Sequence, residues 1–204
     1  MPVRLAYLAL LLTVYSQVVT GATDGGWSAP DPGLLRDVTF DAKESGERQA
    51  WGRSQHAGEN SYRFHFESGV LRIERIGPEP WGQVKHRLDA EPLVGRTLEF
   101  SAELSGNFSE SEQRQISKTG LSVRVLGYKA GIPRIAGKSI LVIAHGVPAI
   151  RPNCFGWTPQ SVRFDVPEGA TDIEVSIRLG IHGTLSVRGP RLVVIEPVGD
   201  VAKE

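Results

Sequence analysis

The run Gly156-Trp157-Thr158-Pro159-Gln160-Ser161-Val162-Arg163-Phe164-Asp165-Val166-Pro167-Glu168-Gly169-Ala170-Thr171, with its continuation Ile173-Glu174-Val175-Ser176-Ile177-Arg178-Leu179, decides the fold class. Val162, Phe164 and Val166 alternate with polar residues. Pro167-Glu168-Gly169 turns the chain, and Ile173, Val175, Ile177 and Leu179 resume the alternation. A period of two places apolar side chains on one face of a strand and polar side chains on the other. After a Gly-rich turn, Gly183-Thr184-Leu185-Ser186-Val187 and then Leu192-Val193-Val194-Ile195 repeat the pattern. Strand, turn, strand, turn, strand is the signature of an antiparallel sheet with one buried face.

The pattern extends upstream. Thr97 to Ser105 is the clearest single strand: Leu98, Phe100, Ala102 and Leu104 point one way, Glu99, Ser101, Glu103 and Ser105 the other. Leu121 to Val125 alternates likewise, and Ile140 to Ile143 is a short apolar run. Tyr62 to Phe66 and Val70 to Ile76 flank Ser68-Gly69 as a hairpin, Gln83 to Leu88 follows Trp81-Gly82, and Val38 to Ala42 reads as a first strand. Lys43 to Asn60 is polar and turn-rich. Nine or ten short strands with no amphipathic helix predict an all-β protein, an antiparallel two-sheet β-sandwich of jelly-roll type. Its core is expected to hold Phe64, Leu98, Phe100, Leu104, Val123, Val125, Val162, Phe164, Ile173, Val175, Ile177 and Leu179.

The 204 residues suit one domain with short appendages. Arg4 followed by the apolar run Leu5 to Val14 and small residues to Ala22 is the layout of a secretory signal peptide, residues 1–22. The apolar run is short for a membrane span, which takes about 20 residues. No membrane span is therefore expected after cleavage, and the chain is expected to be secreted, periplasmic or in the cell envelope. Residues 23–36 read as a flexible arm, 37–198 as the sandwich and 199–204 as a tail. Lys and Arg number 23 and Asp and Glu also 23, so the basic excess of a nucleic-acid binder is missing. Cys154, the single cysteine, permits no intrachain disulfide and reads as a small buried hydrophobe rather than a nucleophile. The five histidines show no metal spacing, and His86 falls on the core side of its strand.

Three pieces of the chain carry a family resemblance. The first is Trp81-Gly82-Gln83-Val84-Lys85-His86-Arg87-Leu88 leading to Leu93-Val94-Gly95-Arg96-Thr97-Leu98-Glu99-Phe100-Ser101-Ala102. The second is Trp157 with Phe164-Asp165-Val166-Pro167-Glu168-Gly169-Ala170, and the third is the closing pair of strand segments. Together, from about Trp81 to Ile195, they resemble the CenC-type carbohydrate-binding modules, which have a galactose-binding-like jelly-roll fold. The resemblance implies an exported protein that binds a poly- or oligosaccharide without catalysis. It implies no cofactor beyond a structural calcium. For that ion Asp37-Val38-Thr39-Phe40-Asp41 is the nearest candidate, in place of the family's Asn-Gly-Asp-Phe-Glu-like stretch.

Sugar rings present apolar C–H faces that stack on aromatic side chains, while neighbouring polar groups read the hydroxyls. Trp51 stands alone in a polar loop, where a large aromatic marks a contact surface. Trp81, at a strand entry, either stacks a ligand or packs under its loop, and Trp157 reads as structural. Lys85, Arg87, Glu99, Glu103, Arg124, Tyr128, Glu174 and Arg178 all fall on outward faces. They form either a solvated face or a saccharide-reading one. The candidate ligand-binding residues are thus Trp51, Trp81, Arg87, Arg124, Tyr128 and Arg178. Two other readings stand beside this one. A protein-interaction module of the cell envelope would use free strand edges or the loop near Trp51. A jelly-roll polysaccharide lyase or hydrolase would have to recruit Tyr128, Arg124, His145 and Glu103.

Overall fold

A computed structural model describes residues 31, 33–38, 40, 50–58, 60–109, 119–131, 135, 137–146 and 154–195, without the side chains of 154 and 155. The expected signal peptide, the tail and the Cys154 side chain lie outside the described residues. The strands are β1 (Gly52–Gln55), β2 (Tyr62–Glu67), β3 (Val70–Arg75), β4 (Gly82–Asp89), β5 (Thr97–Phe108), β6 (Gly120–Gly127), β7 (Ser139–His145), β8 (Cys154–Asp165), β9 (Ala170–Leu179) and β10 (Gly183–Ile195). A 3₁₀ turn, Glu91–Leu93, joins β4 to β5. Two five-stranded sheets, β1-β4-β9-β6-β7 and β2-β3-β10-β5-β8, pair antiparallel throughout and face each other as a sandwich.

The alternation read from the sequence is the alternation of burial. Leu98, Phe100, Ala102 and Leu104 on β5 face inward, as do Val123 and Val125 on β6 and Ile173, Val175, Ile177 and Leu179 on β9. Val162 and Phe164 complete the expected core, whereas Phe64 is half-buried against it. The inner faces also receive Leu71, Ile73, Leu185, Val187 and Leu192.

Four departures have local causes. Strand β5 runs on to Phe108, past Ser105, where the strand read from the sequence ends. A Cβ on Gly106 would lie 2.1 Å from the Phe108 ring, so the missing side chain makes room for that ring in the core. Gly183 to Val187 and Leu192 to Ile195 are one strand, β10, interrupted by a bulge at Arg188-Gly189-Pro190-Arg191. Gly189 there takes φ 56° and Pro190 has no N–H to give the ladder. The described residues of the expected first strand, Val38 and Phe40, are not in a strand: Asp37 and Phe40 adopt φ of 50° and 56°, which breaks an extended chain. Thr39, Asp41 and Ala42 fall outside the described residues. The edge strand β1 replaces it, in a stretch too polar to show alternation.

The sandwich also begins earlier than residue 37. Gly33 bridges Leu192, the Leu34 N–H donates to the Leu192 carbonyl at 2.8 Å, and Leu35 is buried in the core. The end of the expected arm is therefore docked.

Candidate functional site

The outer face of β1-β4-β9-β6-β7 gathers most of the sequence-predicted residues. Its central strand is β9, flanked by β4 and β6. Register places Arg87, Glu174 and Arg124 in one row across the three strands, and Lys85, Ser176 and Ser122 in the next. Polar outward positions on three neighbouring strands thus converge on Glu174. Its carboxylate is 3% exposed, although its strand position points it away from the core. One oxygen, Oε2, meets Lys85 Nζ at 3.4 Å and Arg87 Nη2 at 3.3 Å. The other, Oε1, meets Arg124 Nη1 at 3.4 Å. The three cations cover the carboxylate while keeping much of their own surface in solvent, at 37%, 58% and 41% exposure for Lys85, Arg87 and Arg124. Beside them the Ser122 and Ser176 hydroxyls pair at 2.7 Å and are buried.

Trp81 occupies one end of this face. It precedes Gly82, whose Cβ would lie 2.4 Å from the Tyr62 ring, so only glycine admits that ring at the strand entry. The loop before Trp81 is pinned. The Tyr62 hydroxyl donates to the Glu79 carbonyl at 3.0 Å, and the Glu79 carboxylate lies 2.9 Å from His56 Nδ1 and accepts the Ala57 N–H at 3.0 Å. The His56 N–H donates to the Trp81 carbonyl at 3.1 Å. The half-buried indole carries the Arg178 guanidinium over its ring at 4.9 Å, and His56 meets it edge-on at 6.0 Å. Burial pulls the Arg178 pKa below its ordinary value, and its Nε finds no partner among the described residues. The indole face stabilises this partly desolvated cation.

At the opposite end, Lys138 Nζ donates to Asp172 at 2.6 Å, and the Thr171 hydroxyl donates to the same carboxylate at 2.8 Å. The Lys138 hydrogen bond holds the Asp172 carboxyl below its usual range and the ammonium above its own. Tyr128 lies just past the end of β6, its N–H donating to the Gly169 carbonyl. From Arg178 to Asp172 the face runs about 20 Å along β9. Lys138 and Asp172 were not singled out from the sequence. Lys138 follows a Gly-rich stretch that reads as plain loop, and only strand register sets it beside Asp172.

Trp51 is a correction. It is fully buried, not displayed on a contact surface. Its ring packs on Phe40 at 5.3 Å and edge-on to His86 at 5.3 Å, and its indole N–H donates to the Asp37 carbonyl at 3.0 Å. A residue isolated among polar neighbours in the sequence is thus part of the core. Trp157 lies within β8, half-buried beneath the Arg188 guanidinium at 4.3 Å, on the other sheet. Glu103 is also on that sheet, tied to Arg188 at 2.6 Å. The set Tyr128, Arg124, His145 and Glu103 is therefore dispersed. Glu103 is across the sandwich, while His145 pairs with Ser122, at the other end of β6 from Tyr128 and about 20 Å from it.

His86 is a core histidine, as its strand position implies. Nε2 accepts the Arg36 N–H at 3.3 Å, which puts the imidazole proton on Nδ1, where no described residue accepts it. Burial, aided by the Arg36 charge, lowers its pKa below the ordinary value. The unfolded chain therefore takes up a proton that the folded chain refuses once pH falls below about 6.5. Stability is expected to decline as pH drops from 7 through that value. Urea unfolding of wild type and His86→Gln across this range checks it; the variant should lose the His86 share of the decline.

Among the described residues, no three or more His, Cys, Asp or Glu side chains gather as a metal site, and the Asp37 carbonyl is engaged by Trp51. Nor is any helix there long and apolar enough to cross a membrane.

No family model matches the sequence, and no curated protein matches it. Solved structures do. A CBM4 structure matches over 79% of this chain and 99% of its own, at 14% identity and a TM-score of 0.53. A xylan-binding domain of CBM22 matches over 83% and 99%, at 17% identity and 0.47. The C-terminal family 22 carbohydrate binding module of Clostridium thermocellum Xyn10B matches over 86% and 100%, at 16% identity and 0.46. The CBM4 likeness establishes a shared β-sandwich fold.

Proposed function

We propose that this chain is an exported, non-catalytic carbohydrate-binding protein, allied to the CenC-type modules, whose saccharide lies along the outer face of β1-β4-β9-β6-β7. One observation carries the reading: a pinned, half-exposed Trp81 ends an open sheet face whose centre is lined with hydrogen-bond donors. Trp81 supplies stacking, Arg87 and Arg124 supply donors to hydroxyls, and Arg178 orients the indole from its covered side. Tyr128 adds a second aromatic near the far end. The pinned loop sets the Trp81 ring before a ligand arrives, which limits the ordering cost of binding. The sandwich fold shared with the CBM4 structure supports this reading.

Trp81→Ala is expected to weaken saccharide binding by about 2 kcal/mol, roughly thirty-fold, from lost stacking and apolar contact. A glycan array followed by titration calorimetry of wild type and variant measures it. Unchanged binding in a folded variant would remove Trp81 from the site.

A protein-interaction module is the second reading, and β7 favours it. This edge strand shows Ile143 at 54% exposure, and Ile135 in the preceding loop is 96% exposed. Exposed apolar side chains at a sheet edge suit strand addition by a partner. A stable partner retained with no glycan bound would support it.

A further inference from the structure

Three ion pairs elsewhere on the outer faces, among the described residues, are short. Arg163 meets Glu99 at 2.7 Å, Arg188 meets Glu103 at 2.6 Å, and Lys138 meets Asp172 at 2.6 Å. Such distances are those of full charge-assisted hydrogen bonds. The centre of the proposed binding face is built otherwise. Three cations share the single carboxylate of Glu174, and all three contacts are long, 3.3 to 3.4 Å. One cation would neutralise Glu174; over the outward positions of β4, β9 and β6 together with Lys138, five cations (Lys85, Arg87, Arg124, Arg178 and Lys138) meet three carboxylates (Asp89, Asp172 and Glu174), which leaves two positive charges surplus. Arg87 and Arg124 each give Glu174 one nitrogen, and no other acceptor engages either guanidinium among the described residues. Both side chains are around half exposed. Holding like charges around one carboxylate costs free energy that a single pair would avoid. The chain as a whole carries equal numbers of each sign, so the excess is local.

Building on the carbohydrate-binding reading, we infer that the saccharide is anionic, and that its carboxylate or sulfate oxygens sit over β9 between Arg87 and Arg124. Strands β4 and β6 flank β9, so the two guanidinium-bearing backbones stand about 10 Å apart. An anion over β9 is then approached from both sides by planar donors suited to carboxylate or sulfate oxygens. Lys85 adds a third charge from the next row. Glu174 is the positioning residue: it draws all three cations inward and leaves their outer donors for the ligand. A neutral sugar would use these donors for hydroxyls but would leave the surplus charge uncompensated.

The test titrates the full chain with a galacturonate oligosaccharide, with dextran sulfate and with a neutral xylo-oligosaccharide, at low salt and at about 0.5 M, where screening acts within a few ångströms. Arg87→Gln and Arg124→Gln are compared with wild type. Each leaves Glu174 two cations, so the fold is retained; urea unfolding confirms it. One or both anionic probes should bind best, weaken steeply with salt, and lose about tenfold in affinity with each substitution. Arg87→Lys should keep the salt dependence while losing part of the affinity. Which anionic probe binds identifies carboxylate or sulfate as the group read. If the neutral probe binds as well as the anionic ones, unaffected by salt or by the substitutions, the inference falls while the carbohydrate reading survives. Should no probe bind to a folded sample, both fall.

Discussion

Trp51→Ala should destabilise the protein by about 3–5 kcal/mol, the usual cost of emptying a large buried aromatic site. The side chain is fully enclosed. Removing it opens a cavity against Phe40 and His86 and takes away the indole N–H that the Asp37 carbonyl accepts. His86, whose Nδ1 has no acceptor among the described residues, would lose its aromatic neighbour as well. For a domain of this size the melting temperature should drop by roughly 10 °C. Calorimetry or urea unfolding measures it. A variant as stable as wild type would show that Trp51 does not hold the core together. The contrast with Trp81→Ala is diagnostic: that half-exposed tryptophan should cost binding and spare the fold.

The second large effect is expected from the triple change Lys85→Gln, Arg87→Gln, Arg124→Gln. It leaves Glu174 almost wholly buried with no cation beside it. Breaking a buried ion pair from one side costs about 3–5 kcal/mol, because the remaining charge has neither water nor partner. Each single substitution should cost far less, since two cations remain. Adding Glu174→Gln to the triple variant should recover most of the loss, since an amide buries no charge. Urea unfolding of the single, triple and quadruple variants separates these cases. Equal stability of triple and quadruple variants would mean that Glu174 is hydrated and that the cations do not cover it.

The strands were legible because most bury one face only. Alternation survives in the sequence of β5 and β9, where each inward residue is apolar and most outward ones are polar. Strand β1 was not legible: its four residues, Gly-Arg-Ser-Gln, carry no alternation, and its place comes from pairing with β4. The bulge in β10 was half legible. Gly-Pro signals a break in the ladder, but whether the chain turns or merely kinks depends on β5, which holds register on both sides.

Among candidate site residues, the sequence identified the outward-facing set, Lys85 and Glu174 included, but not which of them meet. Arg87, Arg124 and Glu174 are each readable as polar positions on separate strands; that they share one row follows from register across β4, β9 and β6. Trp51 shows the converse failure. Isolation of an aromatic among polar residues has two meanings, an exposed contact or a part of the core, and local sequence is the same for both.

From its sequence alone, then, this protein is an all-β chain with known inward and outward residues on most strands, because the two-residue period of a strand is a local property. Its candidate site is a tertiary property. Which strands became neighbours, that three cations met over one carboxylate, and that Trp51 turned inward while Trp81 stayed at the surface were decided by pairing and packing between segments far apart in the chain.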